Sequence, residues 1–219
     1  MKLVNILIIV VLSVFLLNCQ EEIKLEEKLK KVTENKPQVI EKKEVNIMNS
    51  NIDSITENIM IVMETSMGNI EIELDKKHAP VTVDNFVKYI DQGFFDGTVF
   101  HRVIGNFMIQ GGGFTPDGNQ KGTNKPIPLE SNNGLKNNLG TLAMARTNDP
   151  NSATGQFFIN VKDNDFLNYN PQNPGYAVFG KVVTGLEIVK NIEAVPTTTK
   201  KGMRDWPVQD IIIEKVYRK

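Results

Sequence analysis

Beyond residue 59 the apolar residues fall into short runs, most of them closed by Gly, Asn, Asp or Pro, and only two stretches carry a helical spacing. A helical bundle needs long, uninterrupted apolar stripes at a 3.6-residue period, so a chain punctuated this way must build sheets. Residues 60–65 and 70–74 read as strands, the second strictly alternating, with Ser66-Met67-Gly68-Asn69 as the hairpin turn. Further strands are predicted at 99–104, 107–110, 142–145, 157–161, 177–182 and 208–217. A helix fits 82–91, where Thr82 can cap, Phe86, Val87 and Ile90 share a face, and Gly93 ends it. A second fits 186–192, before Pro196. Many short strands with two helices predict a mainly β architecture, an antiparallel barrel or sandwich. The segments 111–138 and 148–155, rich in Gly, Asn, Asp and Pro, are long loops on that scaffold, the usual place for binding.

The first 59 residues have a different character. Residues 20–59 are dominated by Glu and Lys and contain no aromatic side chain. Ile23, Leu29 and Val32 form only a weak stripe before Pro37, so 19–59 reads as a flexible tether rather than a partner-binding helix. As a coil it spans on the order of 35 Å. Residues 1–18 read as a secretory signal: Lys2 opens it, and the apolar run over 3–17 is shorter than a membrane-spanning helix needs. The run ends in Leu16-Leu17-Asn18-Cys19, which resembles the bacterial lipoprotein box. That resemblance implies lipidation at Cys19, a membrane anchor, and a place in the cell envelope facing outside the cytoplasm. The one cysteine leaves no internal disulfide, and a net charge of −1 gives no electrostatic case for nucleic acid.

The chain holds two histidines, His78 and His101, and no Cys/His cluster for zinc. Asp163-Asn164-Asp165 lacks the Gly and distal Glu of a calcium loop. Gly111-Gly112-Gly113 is not followed by the Lys-Ser/Thr of a phosphate cradle, and no Gly-x-Ser-x-Gly elbow accompanies either histidine. Neither a metal nor a cofactor is expected. What remains is one cation among aromatics in Phe100-His101-Arg102-Val103-Ile104-Gly105-Asn106-Phe107-Met108-Ile109-Gln110, and amides and aromatics in Ser152-Ala153-Thr154-Gly155-Gln156-Phe157-Phe158. Strand alternation predicts that Phe100, Arg102 and Ile104 share one face, and likewise Gln156 and Phe158. Only four residues of the chain are arginine, and Arg102 and Arg146 both fall near these stretches.

Those two stretches, the opening hairpin and Tyr176-Ala177-Val178-Phe179-Gly180-Lys181-Val182 resemble the cyclophilin family of peptidyl-prolyl cis/trans isomerases, in particular its bacterial branch. The resemblance covers roughly residues 60–219. It implies a closed eight-stranded antiparallel β-barrel with a helix at each end. It also implies roles by position. Arg102 is similar to the catalytic arginine and Gln110 to the glutamine that holds it. Phe107, Met108, Phe158 and Leu167 resemble the proline pocket. Ala145, Arg146 and Gln156 resemble positions that align the peptide, the first two largely through backbone. Phe166 and Tyr176 stand where relatives often carry tryptophan and histidine, and Gly105-Asn106 replaces a common Pro-Gly.

These residue types suit the implied reaction. The rotation barrier of a peptide bond, about 18–20 kcal/mol, comes from nitrogen sharing its lone pair with the carbonyl. At the half-rotated state that lone pair returns, and a guanidinium beside it can donate a hydrogen bond that the planar states do not accept. No proton transfer or nucleophile is needed. The expected partners are Pro-containing polypeptides, met by a monomer. A rival reading is a chaperone or surface lipoprotein that binds such peptides without turning them over.

Overall fold

The computed structural model describes residues 58–219. The signal segment, Cys19 and the tether up to residue 57 lie outside the described residues. Strands β1 (Ile59–Thr65) and β2 (Gly68–Leu74) form the opening hairpin, with Thr65 opposite Gly68 and Ser66-Met67 as the loop. There follow helix α1 (Pro80–Asp91) and strands β3 (Thr98–Val99), β4 (Arg102–Ile104), β5 (Met108–Gly111), β6 (Thr141–Met144) and β7 (Phe157–Asn160). A 3₁₀ turn at Asp165–Leu167 precedes β8 (Val178–Thr184), helix α2 (Leu186–Glu193), β9 (Thr197–Lys200), β10 (Met203–Pro207) and β11 (Ile212–Arg218).

Nine strands make one antiparallel sheet in the order β3-β11-β1-β2-β8-β6-β7-β5-β4, and β9 and β10 make a separate hairpin. The expected mainly β, antiparallel architecture with two helices is present, but the ladders do not draw a closed eight-stranded barrel: the sheet has nine strands, curls round its core, and ends at β3 and β4, which are successive in the chain and not hydrogen-bonded to each other. The cause lies at Phe100-His101. The strand predicted over 99–104 changes neighbour there: Val99 faces Ile212 of β11, whereas Arg102 faces Gln110 of β5. Breaking the strand also breaks its alternation. Phe100 is buried with Val103 in the main core, and its ring meets Phe157 edge-on at 6.2 Å. It does not share the face of Arg102. The predicted strand 208–217 is shorter, and the β9–β10 hairpin has little apolar signal because Thr197, Thr198 and Thr199 open it.

The main core lies between the sheet and α1, around a cluster in which Phe86 meets Phe95, Phe157 and Phe179 at centroid distances of 4.7, 5.5 and 5.0 Å. Helix α1 starts at Pro80, two residues before the predicted Thr82 cap. Pro suits this first turn because its missing N–H would have no partner there. The free donors of Val81 and Thr82 go instead to the Glu130 carboxylate, at 3.1 and 2.7 Å, a favourable charge at a helix N-terminus. This contact ties the long loop 111–138 to the helix.

Candidate active site

A second, smaller apolar cluster lies apart from the main core. Met108, Ala143, Phe158, Leu167 and Val178 are buried in it, with Ile104, Phe107 and Tyr176 packed against it. The period of two explains the separation: in β7, Phe157 and Ile159 enter the main core while Phe158, opposite Gln110 and Ala143, turns to the other side. A recess of roughly 130 Å³ opens on this cluster, lined by Arg102, Phe107, Met108, Gln110, Ala145, Arg146, Phe158, Leu167 and Tyr176. All nine were singled out in the sequence. Gln156 lines an adjoining groove of roughly 180 Å³ with Gln110, Ala145 and Arg146, with Ser152 and Thr154 of its own stretch and, unanticipated from the sequence, with Gln120 and Thr147. Phe166 lines neither space; it is 63% exposed and stacks at 5.6 Å on Phe107.

Two polar details differ from what the resemblance implies. The Gln110 side chain does not hold Arg102: its Nε2 donates to Gln156 Oε1 at 3.0 Å, joining recess to groove. The partner of Arg102 is Asp205, with Nε 3.8 Å from Oδ2 and both side chains about two-fifths exposed. Arg146 is held by its side chain as well. Its Nε and one terminal nitrogen donate to Gly175 O at 3.1 and 2.9 Å, and the guanidinium lies 4.4 Å from the Tyr176 ring centre. Tyr176 in turn stands edge-on to Phe158 at 5.6 Å, so this wall is braced from the groove to the floor of the recess. The Ala145 N–H is bonded to Gln156 O at 3.0 Å, so the backbone group Ala145 can offer a peptide is its carbonyl.

The glycine run makes this packing possible. Gly112 has φ +78°, and a methyl group there would lie 2.8 Å from the Phe157 ring. At Gly113 it would lie 2.5 Å from Gln156 Cγ, in the space that the amide needs to reach Gln110. Asn106 takes the turn before Phe107 at φ +55°, and its N–H donates to Glu193 Oε1 at 2.7 Å. A buried amide lattice, not foreseen from the sequence, supports the recess from behind. Asn164 Nδ2 donates to Phe107 O and to Asn160 Oδ1, both at 2.8 Å, and Asn137 Nδ2 to Leu167 O at 3.1 Å. Asparagines scattered over 137–168 give no period by which to find such a lattice.

A larger recess of roughly 310 Å³ lies elsewhere, bordered by Glu73, Lys136, Thr141 and Lys181. Lys181 is paired with Glu73 at 2.9 Å, and Asn58 donates to the same carboxylate at 2.8 Å, so these three polar groups are engaged with one another. The smaller recess, with a half-exposed cation over an apolar floor, is the better candidate.

His101 lies beside Arg102 in sequence but is buried, its ring 4.6 Å from Phe114 and 6.1 Å from Trp206. Burial first, and the Arg102 charge second, hold its pKa down to about 4, against a hydrogen bond with the Val99 backbone that raises it. The unfolded chain binds this proton near pH 6.5 and the folded one only near 4, so stability is complete above 6.5 and falls between those values as pH drops. The full difference is about 3 kcal/mol. Urea denaturation at pH 7 and pH 4.5 should show that loss, and His101→Gln should flatten it. Equal pH dependence in both proteins overturns the assignment.

A family profile described as "Cyclophilin type peptidyl-prolyl cis-trans isomerase/CLD" matches residues 60–218. A peptidyl-prolyl cis-trans isomerase of Streptomyces antibioticus is 55% identical over 157 residues, which cover 70% of this chain and 95% of the relative. Peptidyl-prolyl cis-trans isomerase B of Escherichia coli K12 is 52% identical over 160 residues, 72% of this chain and 98% of the relative. Among solved structures, a Cryptosporidium parvum cyclophilin type isomerase, crystallised in the presence of the dipeptide Ala-Pro, superposes with a TM-score of 0.63. It is 30% identical, and the match covers 73% of this chain and 98% of that one.

Proposed function

Because this chain belongs to the cyclophilin-type peptidyl-prolyl cis/trans isomerases, we propose that its 130 Å³ recess receives the proline ring and that Arg102 acts at the prolyl nitrogen. The protein catalyses rotation about X-Pro bonds. The observation that carries the reading is the meeting of Arg102 with Met108, Phe158 and Leu167 in one recess. The apolar floor takes the ring out of water. The planar amide, the more dipolar species, loses more hydration there than the twisted one, which narrows the gap between them. The Arg102 guanidinium then donates to the nitrogen lone pair that exists only in the twisted state. Gln156, held by Gln110, and the Ala145 carbonyl present the hydrogen-bonding edge along which an extended peptide lies. Arg146 and Tyr176 brace that edge, and Phe166 extends the apolar surface beyond Phe107.

A recess that only held proline rings would need the aromatic floor and no cation at its rim, which favours turnover over binding alone. NMR exchange spectroscopy on a short X-Pro peptide separates the two. Accelerated cis/trans exchange with residues 58–219 is expected. Shifts in the protein spectrum without faster exchange would favour the peptide-binding chaperone.

We further infer a lipid-anchored enzyme that assists the folding of secreted or envelope proteins, supported by the lipoprotein-type stretch ending at Cys19. Stable anchoring takes more than one acyl chain, which a lipoprotein N-terminus carries. Cys19→Ser should move the protein from the membrane to the soluble fraction. An unchanged distribution sinks the anchor.

A further inference from the structure

We propose that Asp205 is a positioning residue that aims the Arg102 guanidinium into the recess, an inference that rests on the role given to Arg102. Asp205 belongs to β10, on the separate β9–β10 hairpin, and among the described residues is the one carboxylate paired with Arg102, with Oδ2 3.8 Å from Nε. The carboxylate thus stands on the Nε side of the guanidinium, as an ion pair beyond hydrogen-bond distance, and the two terminal nitrogens are left for the substrate. An arginine free to rotate would visit many rotamers. A carboxylate on the Nε side selects those in which the fork points away from it.

The backbone at Asp205 is unusual in a way that suits this task. Its φ is +62°, a left-handed conformation uncommon outside glycine, and it sits in a bulge where the β10–β9 register shifts between Met203 and Trp206. Bulges re-aim side chains, and strain of this kind persists only where the surroundings fix it. Here they do. The neighbouring Trp206 is fully buried, and its Nε1 donates to Asp210 Oδ1 at 2.7 Å. Lys200 Nζ donates to both oxygens of the same carboxylate at 2.7 Å, clamping the two strands of the hairpin. The Trp206 ring also faces His101, the residue before Arg102. One anchor thus holds both partners of the ion pair.

The test uses the full-length protein and two substitutions. Asp205→Asn removes the charge and keeps a residue tolerant of positive φ, while Asp205→Gly removes the side chain and suits the backbone. Both should fold with near-parental melting temperatures. Both should bind an X-Pro peptide with unchanged Kd but lower the exchange rate at saturation about two- to fivefold, the range of a half-exposed ion pair. The Arg102 side-chain Nε–Hε resonance should shift in both variants, which a merely structural role of Asp205 would not produce. In an Arg102→Ala background the Asp205 substitutions should have no further effect. If Arg102→Ala slows exchange while both Asp205 variants keep the parental rate and Arg102 resonance, the positioning role is overturned and the role of Arg102 stands. If Arg102→Ala itself leaves the rate unchanged, the reading beneath it fails.

Discussion

Arg102→Ala is expected to lower kcat/KM for X-Pro exchange by about 10- to 100-fold, the worth of one charge-assisted hydrogen bond made in the transition state. Peptide affinity should hardly change, because the apolar floor of Met108, Phe158 and Leu167 is intact. The loss should therefore fall on kcat, the mark of an interaction absent from the ground state. Stability should stay near the parental value, since the side chain is 41% exposed and its contact with Asp205 is a long one. Arg102→Lys keeps the charge but not the planar fork, and is expected to recover only part of the rate. Exchange spectroscopy at saturating peptide measures this directly. A variant retaining more than half the parental rate removes Arg102 from the chemistry.

The largest effect on stability is expected at Phe86. Fully buried on α1 and in contact with three other phenylalanines, it links the helix to the sheet. Phe86→Ala should cost about 3–5 kcal/mol, combining lost transfer free energy with a cavity that a rigid sheet cannot collapse. Total stabilities are about 5–15 kcal/mol, so this is a large share, and urea midpoints should fall accordingly. Phe86→Leu should cost much less. The recess lies in a separate cluster, so protein that remains folded should keep a near-parental exchange rate per molecule. An urea-derived loss below about 1.5 kcal/mol would mean that the neighbouring rings close over the gap.

Much of this was legible in the sequence, and the parts that were not share a cause. The opening hairpin, both helices and the β5 and β7 strands carry their own periodicity, so their positions are near those predicted. Recess residues from Arg102 to Tyr176 were found through the family resemblance; spacing alone cannot tell a pocket Phe158 from a core Phe157. The split at Phe100-His101 was not visible, because exchanging one neighbouring strand for another leaves no mark on local composition. Glu130 at the start of α1 and Asp205 beside Arg102 act across 48 or more residues of chain, on partners that only the folded topology supplies. The β9–β10 hairpin escaped for a simpler reason: its strands are short and its buried ring, Trp206, stands almost alone among polar neighbours.

The pairing of β1 with β11 has a mechanical consequence. Ile61 lies opposite Arg218, and the Lys219 N–H donates to Met60 O at 2.9 Å, so the first and last strands begin and end at the same point. A pull applied between those two ends loads the ladder one rung at a time, as in opening a zipper, instead of shearing all its bonds together. Tension from residue 59 alone, balanced by drag on the folded body, is shared between the two ladders that hold β1, one to β11 and one to β2. The domain is thus weak to stretching between its ends and sturdy when it hangs from one of them.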